Sequence, residues 1–397
     1  MPTVQAKRQE HIMHLPDYKD GSIVNLMSSV MRAYGEKSIY APLKTLDISM
    51  LRKSTNIVLL VIDGLGYEYL QQHGANSFLN EYLRERVTSV FPSTTATGIT
   101  TFLTGLAPQQ HAVTGWFMLV KELGVVARTL PFNPRFGGSA ISTTGVDPKL
   151  VFGQEVLSAR LKAESYYTIP QHLFESDFTT VTSTGAKKVS YNSPAECFQK
   201  ITDIVKSSNK RKFIYAYLSE FDSLCHEFGT QSQEALQYFR EVDHAIVAFH
   251  DALRRSNTTL LITSDHGLVD TETLDRMSLE EHPELAATLS LPLCGEPRVA
   301  YCYVHPAKVK KFRQYVDANL RDFCTMHSSH DLVRKHFFGL HEPNPKLYDR
   351  IGDYILIMKE NYVLKDFVLC ETRHFLKANH GGVSSKEMYV PLIIIFC

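Results

Sequence analysis

The feature that most constrains this chain is a set of short, continuous apolar runs separated by longer helical patterns. The runs cover residues 57–62 (IVLLVI), 179–183, 213–218 (FIYAYL), 260–263 (LLIT) and 390–396 (VPLIIIF). Continuous rather than alternating apolar character marks strands covered on both faces, as in a mostly parallel sheet flanked by helices. Between two of these runs, Leu236, Phe239, Val242, Ile246, Phe249 and Leu253 recur at three- or four-residue steps, which predicts a helix over 232–255. A strand, that helix and the next strand form a β-α-β unit with a right-handed crossover. The expected fold is therefore α/β. From 270 to 371 the pattern changes to a strand over 298–304 after a Gly-Glu-Pro turn, a helix from 308 to about 323 and a strand over 353–359. This segment is expected to be a smaller inserted α+β subdomain, leaving 1–269 and 372–397 as the main domain. The stretch 117–167 is expected to be irregular cover near the site.

Composition narrows the function. Lys+Arg and Asp+Glu both number 42, so no global field recruits nucleic acid or an anionic membrane, and attraction for phosphate has to be local. Seven cysteines, scattered and without a CxxC pair, favour reduced thiols over a disulfide framework or a thiolate metal site. No apolar run approaches the ~20 residues needed to cross a bilayer. The first 22 residues carry no apolar leader-like core, so a cytoplasmic location is expected. The sequence leaves the oligomeric state open.

Chemistry concentrates where the apolar runs end. Asp63 follows the first; Asp222 and His226 follow the third; Asp265 and His266 follow the fourth; His380 precedes Gly381-Gly382 and the last run. In an open α/β sheet, loops at the carboxyl ends of parallel strands converge on one crevice, so these distant residues can meet. Asp222 and His226, four apart, share a face if the chain enters a helix there. Each group alone is commonly a turn, a cap or a solvated helix pair. Jointly they offer carboxylate and imidazole donors without thiolate, a set suited to two divalent cations, Zn²⁺ first and Mn²⁺ or Fe next, ahead of Mg²⁺ or Ca²⁺.

The run Ser93-Thr94-Thr95 lies between these groups. Pro92 ends an extended segment, and the residues after it can start a helix through Ala96, Ile99 and Leu103. Thr94 or Thr95 then stands at a helix N-terminus, where unpaired N–H groups and the positive end of the dipole favour a phosphoryl group. The plainer alternative is that the three hydroxyls only cap the helix.

Taken together, VIDG, the threonine run followed by LTGLAPQQH, DSLCH, SDHG and NHGG resemble the type I phosphodiesterase/nucleotide pyrophosphatase family of the alkaline phosphatase superfamily, over residues 56–396. The resemblance implies an alkaline-phosphatase-like fold. It implies that Asp222, His226 and His380 bind one metal, and that Asp63, Asp265 and His266 bind the other, which Thr95 also reaches. Family spacing from Phe91-Pro92 and to Thr104-Gly105-Leu106 selects Thr95 as the nucleophile, with Thr94 second. The implied reaction is hydrolysis of phosphodiester or nucleotide pyrophosphate bonds through a phosphothreonine, on a small, nucleotide-like phosphate ester. The alternatives are a phosphomonoesterase or phosphonate hydrolase of the same superfamily, or a non-catalytic binding protein that keeps its metals. One departure stands out: the family's Asn three residues after the nucleophile is Gly98 here. Trp116, Phe117, Tyr166 and Tyr167 are expected in loops as local packing, and Arg128, Arg135, Lys187 and Lys188 as solvated surface charge.

Overall fold

The computed structural model describes residues 12–369 and 371–397. The first eleven residues, on which the leader reading partly rests, and Cys370 lie outside the described residues.

The apolar runs build a seven-stranded sheet in the order Leu83–Thr88, Tyr389–Phe396, Thr258–Thr263, Asn56–Ile62, Lys212–Leu218, Glu164–Pro170 and Ala186–Tyr191. Only Tyr389–Phe396 runs antiparallel to its neighbours. The central strand is buried throughout, and its side chains part by parity. Ile57, Leu59 and Val61 join one hydrophobic core, whereas Val58, Leu60 and Ile62 join the other. That is the consequence of helices on both faces: each apolar side chain removed from water contributes about 1.5–3 kcal/mol, which favours the unbroken apolar run after Asn56. The Gln233–Leu253 helix starts at Ser232, whose hydroxyl accepts from the Ala235 N–H, and buries Phe239, Val242, Ile246, Phe249 and Leu253 in the second core.

A second sheet, antiparallel throughout, runs Cys324–Ser328, Tyr354–Met358, Val299–Cys302, Cys294–Glu296, Phe117–Val120, Val125–Arg128 and Asn133–Pro134. The three elements expected in 298–359 are all present, including a helix at Val309–Asn319.

Several expectations fail for identifiable reasons. Residues 117–167 are largely irregular only in their middle, 129–163: Phe117–Arg128 is largely a β-hairpin docked on Cys294–Glu296 through the Gly295–Phe117 pair, and Glu164–Pro170 is a strand of the main sheet. The partner of Phe117 lies far along the chain, beyond the reach of local periodicity. Residues 179–183 fall in and just after the Asp177–Thr182 helix. Ser176 caps it by accepting from the Thr179 N–H, and this local start signal overrides the β-branched composition. Phe117, Tyr166 and Tyr167 therefore lie in strands, not loops. Arg135 is not surface charge. It is 2% exposed, pairs with Asp366 at 2.6 Å and Glu371 at 3.0 Å, and lies over the Phe117 ring. No helix among the described residues is long and apolar enough to cross a membrane.

Candidate active site

Three parallel strands deliver the donors. Asp63 directly follows Asn56–Ile62, Asp265 and His266 follow Thr258–Thr263, and Lys212–Leu218 leads into the Glu220–Phe228 helix that carries Asp222 and His226 on one face. His380 comes from the turn after Ala378–Asn379. The donor atoms of Asp63, Asp265 and His266 all lie within 4.8 Å of one another, as do those of Asp222, His266 and His380. His266 thus belongs to both groups, and its ring stacks on His380 at 3.9 Å between centroids. His226 completes the second group, its Nε2 being 3.1 Å from Asp222 Oδ2.

The carboxylates share one arrangement. Asp265 Oδ1 accepts from the N–H groups of Gly64 at 3.3 Å and His266 at 3.1 Å, while Oδ2 has no hydrogen bond. Asp63 Oδ2 accepts from the Tyr217 hydroxyl, and its Oδ1 is without a partner. Asp222 turns Oδ2 to His226 and leaves Oδ1 unpartnered. Each aspartate is held by one oxygen and offers the other, buried, to the same space.

The imidazoles are oriented to match. His226 Nδ1 donates to the Ala378 carbonyl at 2.8 Å, and His266 Nδ1 donates to the Gly267 carbonyl at 3.1 Å. A carbonyl only accepts, so each Nδ1 carries a proton and each Nε2 is turned to the centre. His266 Nε2 stands 3.3 Å from Asp63 Oδ1 and 3.6 Å from Asp265 Oδ2. Acceptor against acceptor in a dry site is unfavourable unless a proton or a cation lies between.

Titration behaviour follows. Burial, then the neighbouring Asp265 and Asp222 charges, pushes Asp63 well above the usual carboxylate range. Asp265 is also raised, chiefly by burial. Burial opposes ionisation of Asp222 too, but His226 beside it outweighs that and holds it below its ordinary value. Burial disfavours the charged form of His226, and Asp222 prevails to raise it. His380 is driven well below its ordinary value by burial and by His266.

The three neighbouring hydroxyls divide their work. Ser93 Oγ donates to the Gly382 carbonyl at 2.8 Å, and Thr94 Oγ1 donates to Glu296 Oε1 at 2.7 Å. Thr94 is the N-cap of the Thr95–Thr104 helix, yet its side chain makes no capping bond. Thr95 is the first helical residue, and its Oγ1 lies 3.1 Å from His266 Nε2. Gly98 explains how the helix comes so near: a Cβ there would meet Asp265 Cβ at 2.7 Å and its carbonyl oxygen at 3.2 Å. No side chain fits where the family carries Asn.

Two cavities open beside Thr95, and both are bordered by Thr95, Trp116 and Asp222. The first, about 400 Å³, is walled by Ile99, Leu103, Tyr167, Ile169 and Phe178. The second, about 310 Å³, is bordered by His226, His380, Glu296, Asn379 and Lys365. Arg128, Lys187 and Lys188 border neither cavity. Sequence reading missed Glu296, which sits in what reads only as a Gly-Glu-Pro turn, and Tyr217, which reads only as part of an apolar strand. It also missed Arg298, fully buried and paired bidentately with Glu387 at 3.0 Å; Glu387 Oε1 in turn accepts from the Gly382 N–H at 2.8 Å, beside His380.

The chain is similar to known proteins in sequence and in fold. The profile of "Type I phosphodiesterase / nucleotide pyrophosphatase" matches residues 57–382. Rat ectonucleotide pyrophosphatase/phosphodiesterase family member 7 is 23% identical over 223 residues, 53% of this chain and 49% of the relative, so the match spans about half the length of that relative. Among solved structures, murine ectonucleotide pyrophosphatase / phosphodiesterase 5 superposes with TM-score 0.61 at 18% identity, covering 85% of this chain and 87% of that one. An inactive form of the same murine protein in complex with AMP gives TM-score 0.61 at 17% identity over the same shares. Phosphonoacetate hydrolase from Sinorhizobium meliloti, in complex with phosphonoacetate, gives 0.63 at 14% identity, covering 85% and 89%. At such identities the structures establish a shared fold, while the profile covers most of the chain and the strand-end donors lie within it. The chain belongs to the type I phosphodiesterase/nucleotide pyrophosphatase family.

Proposed function

We propose that this protein hydrolyses phosphodiester or nucleotide pyrophosphate bonds through a covalent phosphothreonine on Thr95, with two divalent cations bound beside it. The observation that carries this reading is that Asp63, Asp222 and Asp265 each present a buried, unpartnered carboxylate oxygen to the space in front of Thr95. Such a donor set fits cations: Asp63, Asp265, His266 and Thr95 would hold one, and Asp222, His226 and His380 the other, Zn²⁺ before Mn²⁺ or Fe. When bound, the pair neutralises phosphoryl charge and makes hydroxyl and water more acidic.

The residues themselves do the rest. Thr95 Oγ attacks phosphorus in line and loses its proton to solvent, the bond to the leaving oxygen breaks so that the alcohol or phosphate departs and takes up a proton, and a phosphothreonine that still carries the remaining ester group forms. Water then cleaves the phosphothreonine, restoring the hydroxyl and releasing a phosphomonoester. Thr95 is favoured over Thr94 because the Thr94 hydroxyl is committed to Glu296. The N–H groups of Thr95 and Ala96 make no hydrogen bond among the described residues, so they can receive a phosphoryl oxygen that the family's Asn would otherwise bind.

Two cavities flanking Thr95 support a diester, which has two substituents to place, over a monoester. The AMP bound by the murine relative supports a nucleotide-like substrate. Lys365 at the second cavity and the likeness to phosphonoacetate hydrolase favour a phosphonate hydrolase as the second reading. Turnover of a nitrophenyl phosphodiester, its monoester, a dinucleotide and phosphonoacetate separates these: the diester or dinucleotide should be fastest, and a preference for monoester or C–P substrate would overturn the assignment. Residues 1–269 and 372–397 are taken as the catalytic body and 270–371 as its cap, to which the Phe117–Arg128 hairpin adds strands. The six described cysteines, all free thiols and five of them buried, support a reducing, cytoplasmic setting.

A further inference from the structure

Thr94 is placed where a threonine ordinarily folds its hydroxyl over the helix end and accepts from the second or third N–H. Here it is turned away. Glu296 Oε1 accepts from both the Thr94 hydroxyl and the Trp116 main-chain N–H, each at 2.7 Å. Glu296 Oε2 makes no hydrogen bond among the described residues, and the side chain borders the second cavity. The carboxylate arrives from the second sheet, at the end of Cys294–Glu296, and reaches the start of a helix that belongs to the first.

We infer that Glu296 is a positioning residue: by holding the Thr94 hydroxyl off the helix end, it keeps the Ala96 N–H open, beside that of Thr95, for a phosphoryl oxygen, and by holding the Trp116 main-chain N–H it fixes the partition between the two cavities. This rests on the reading of Thr95 as nucleophile. Without Glu296, the Thr94 hydroxyl can rotate onto the helix end and compete with the substrate. Burial pushes the Glu296 carboxyl up to about 7, against the lowering effect of Thr94 and Trp116. Since one oxygen accepts both bonds, the neutral acid positions Thr94 as well as the carboxylate does, and glutamine can imitate it.

The test uses the full chain loaded with Zn²⁺, titrated with inorganic phosphate by calorimetry and assayed with a nitrophenyl phosphodiester. A competing cap bond should weaken phosphate binding in Glu296→Ala by about tenfold, with kcat falling more than KM rises. Adding Thr94→Val removes the competing hydroxyl and should restore phosphate affinity to within about threefold, on the same scale. Glu296→Gln should keep most of the affinity and leave the pH profile in place. Unchanged affinity in Glu296→Ala, no recovery in the double variant, or a displaced pH profile in Glu296→Gln would each overturn the inference. If Glu296→Ala does not fold, Thr94→Val alone decides: unchanged phosphate affinity supports the inference, and a tenfold loss contradicts it. Absence of diester turnover in the parent protein would instead overturn the proposed function, while the phosphate titrations would still report on Glu296.

Discussion

The two sheets contribute to the site in opposite ways. The parallel sheet supplies donors that face a common space and leave oxygens unpartnered, as Asp63 and Asp265 do at strand ends. The antiparallel sheet supplies groups that hold other groups in place: Glu296 holds Thr94 and Trp116 through Oε1, and Arg298 holds Glu387 and through it the Gly382 turn. At the site, the open aspartate oxygens mark the chemistry, and the paired Arg298 and Glu387 mark the frame. Substitutions in the two regions should therefore fail differently.

The largest effect is expected at Thr95. Thr95→Ala should lower diester turnover by at least about a thousandfold, with the melting temperature of the metal-free protein kept. Residual turnover near that of the parent would remove Thr95 from the chemistry. His380→Ala should lower bound metal and activity together, by about a hundredfold or more in activity, as elemental analysis beside kinetics would record. Arg298→Ala should behave as a frame variant. It leaves Glu387 buried and unpaired at a cost of about 3–5 kcal/mol, seen in denaturant melts, and a stable variant with lost turnover would blur the contrast between the sheets.

The smallest effect concerns pH in metal-free protein. Burial raises Glu296 from 4.5 to about 7, and Asp63 and Asp265 are raised too. A raised carboxyl binds its proton more tightly when folded, so its contribution to stability is complete below about pH 4 and is lost as pH rises through the folded value. Asp222, held low, works the other way below about pH 4, and so do His380 and His111, which burial holds below the ordinary imidazole value and which cost stability as pH falls below about 6.5; the three raised carboxyls outnumber these two imidazoles. Metal-free protein should melt progressively lower between about pH 4 and 7, and chelation should therefore cost more stability at neutral than at acid pH. A melting temperature independent of pH over that range would contradict the acceptor-rich description of the site.

These contrasts also explain what the sequence reveals. Asp63, Asp265 and His266 are legible because a buried strand is an unbroken apolar run and the residue that breaks it lies at a predictable place in space. Asp222 and His226 are legible through helical spacing, and the pair Thr94 and Thr95 through its place at the start of a helix, the choice of Thr95 resting on the family resemblance. Glu296 and Arg298 are not, because their roles exist only where the second sheet meets the first, and the pairing of Gly295 with Phe117 leaves no local periodicity. Arg135 misleads for a related reason: a charged residue reads as surface until Asp366 and Glu371 are brought to it from more than two hundred residues away. The helix at Asp177–Thr182 shows a cap overruling composition.

The central claim is that side chains from separate strand ends gather two cations around Thr95. Elemental analysis of protein reconstituted with Zn²⁺ and freed of excess metal tests it most directly. The account predicts about two equivalents per chain, falling when Asp63 or Asp222 is replaced by Asn. Well under half an equivalent, unchanged by those replacements, would contradict it.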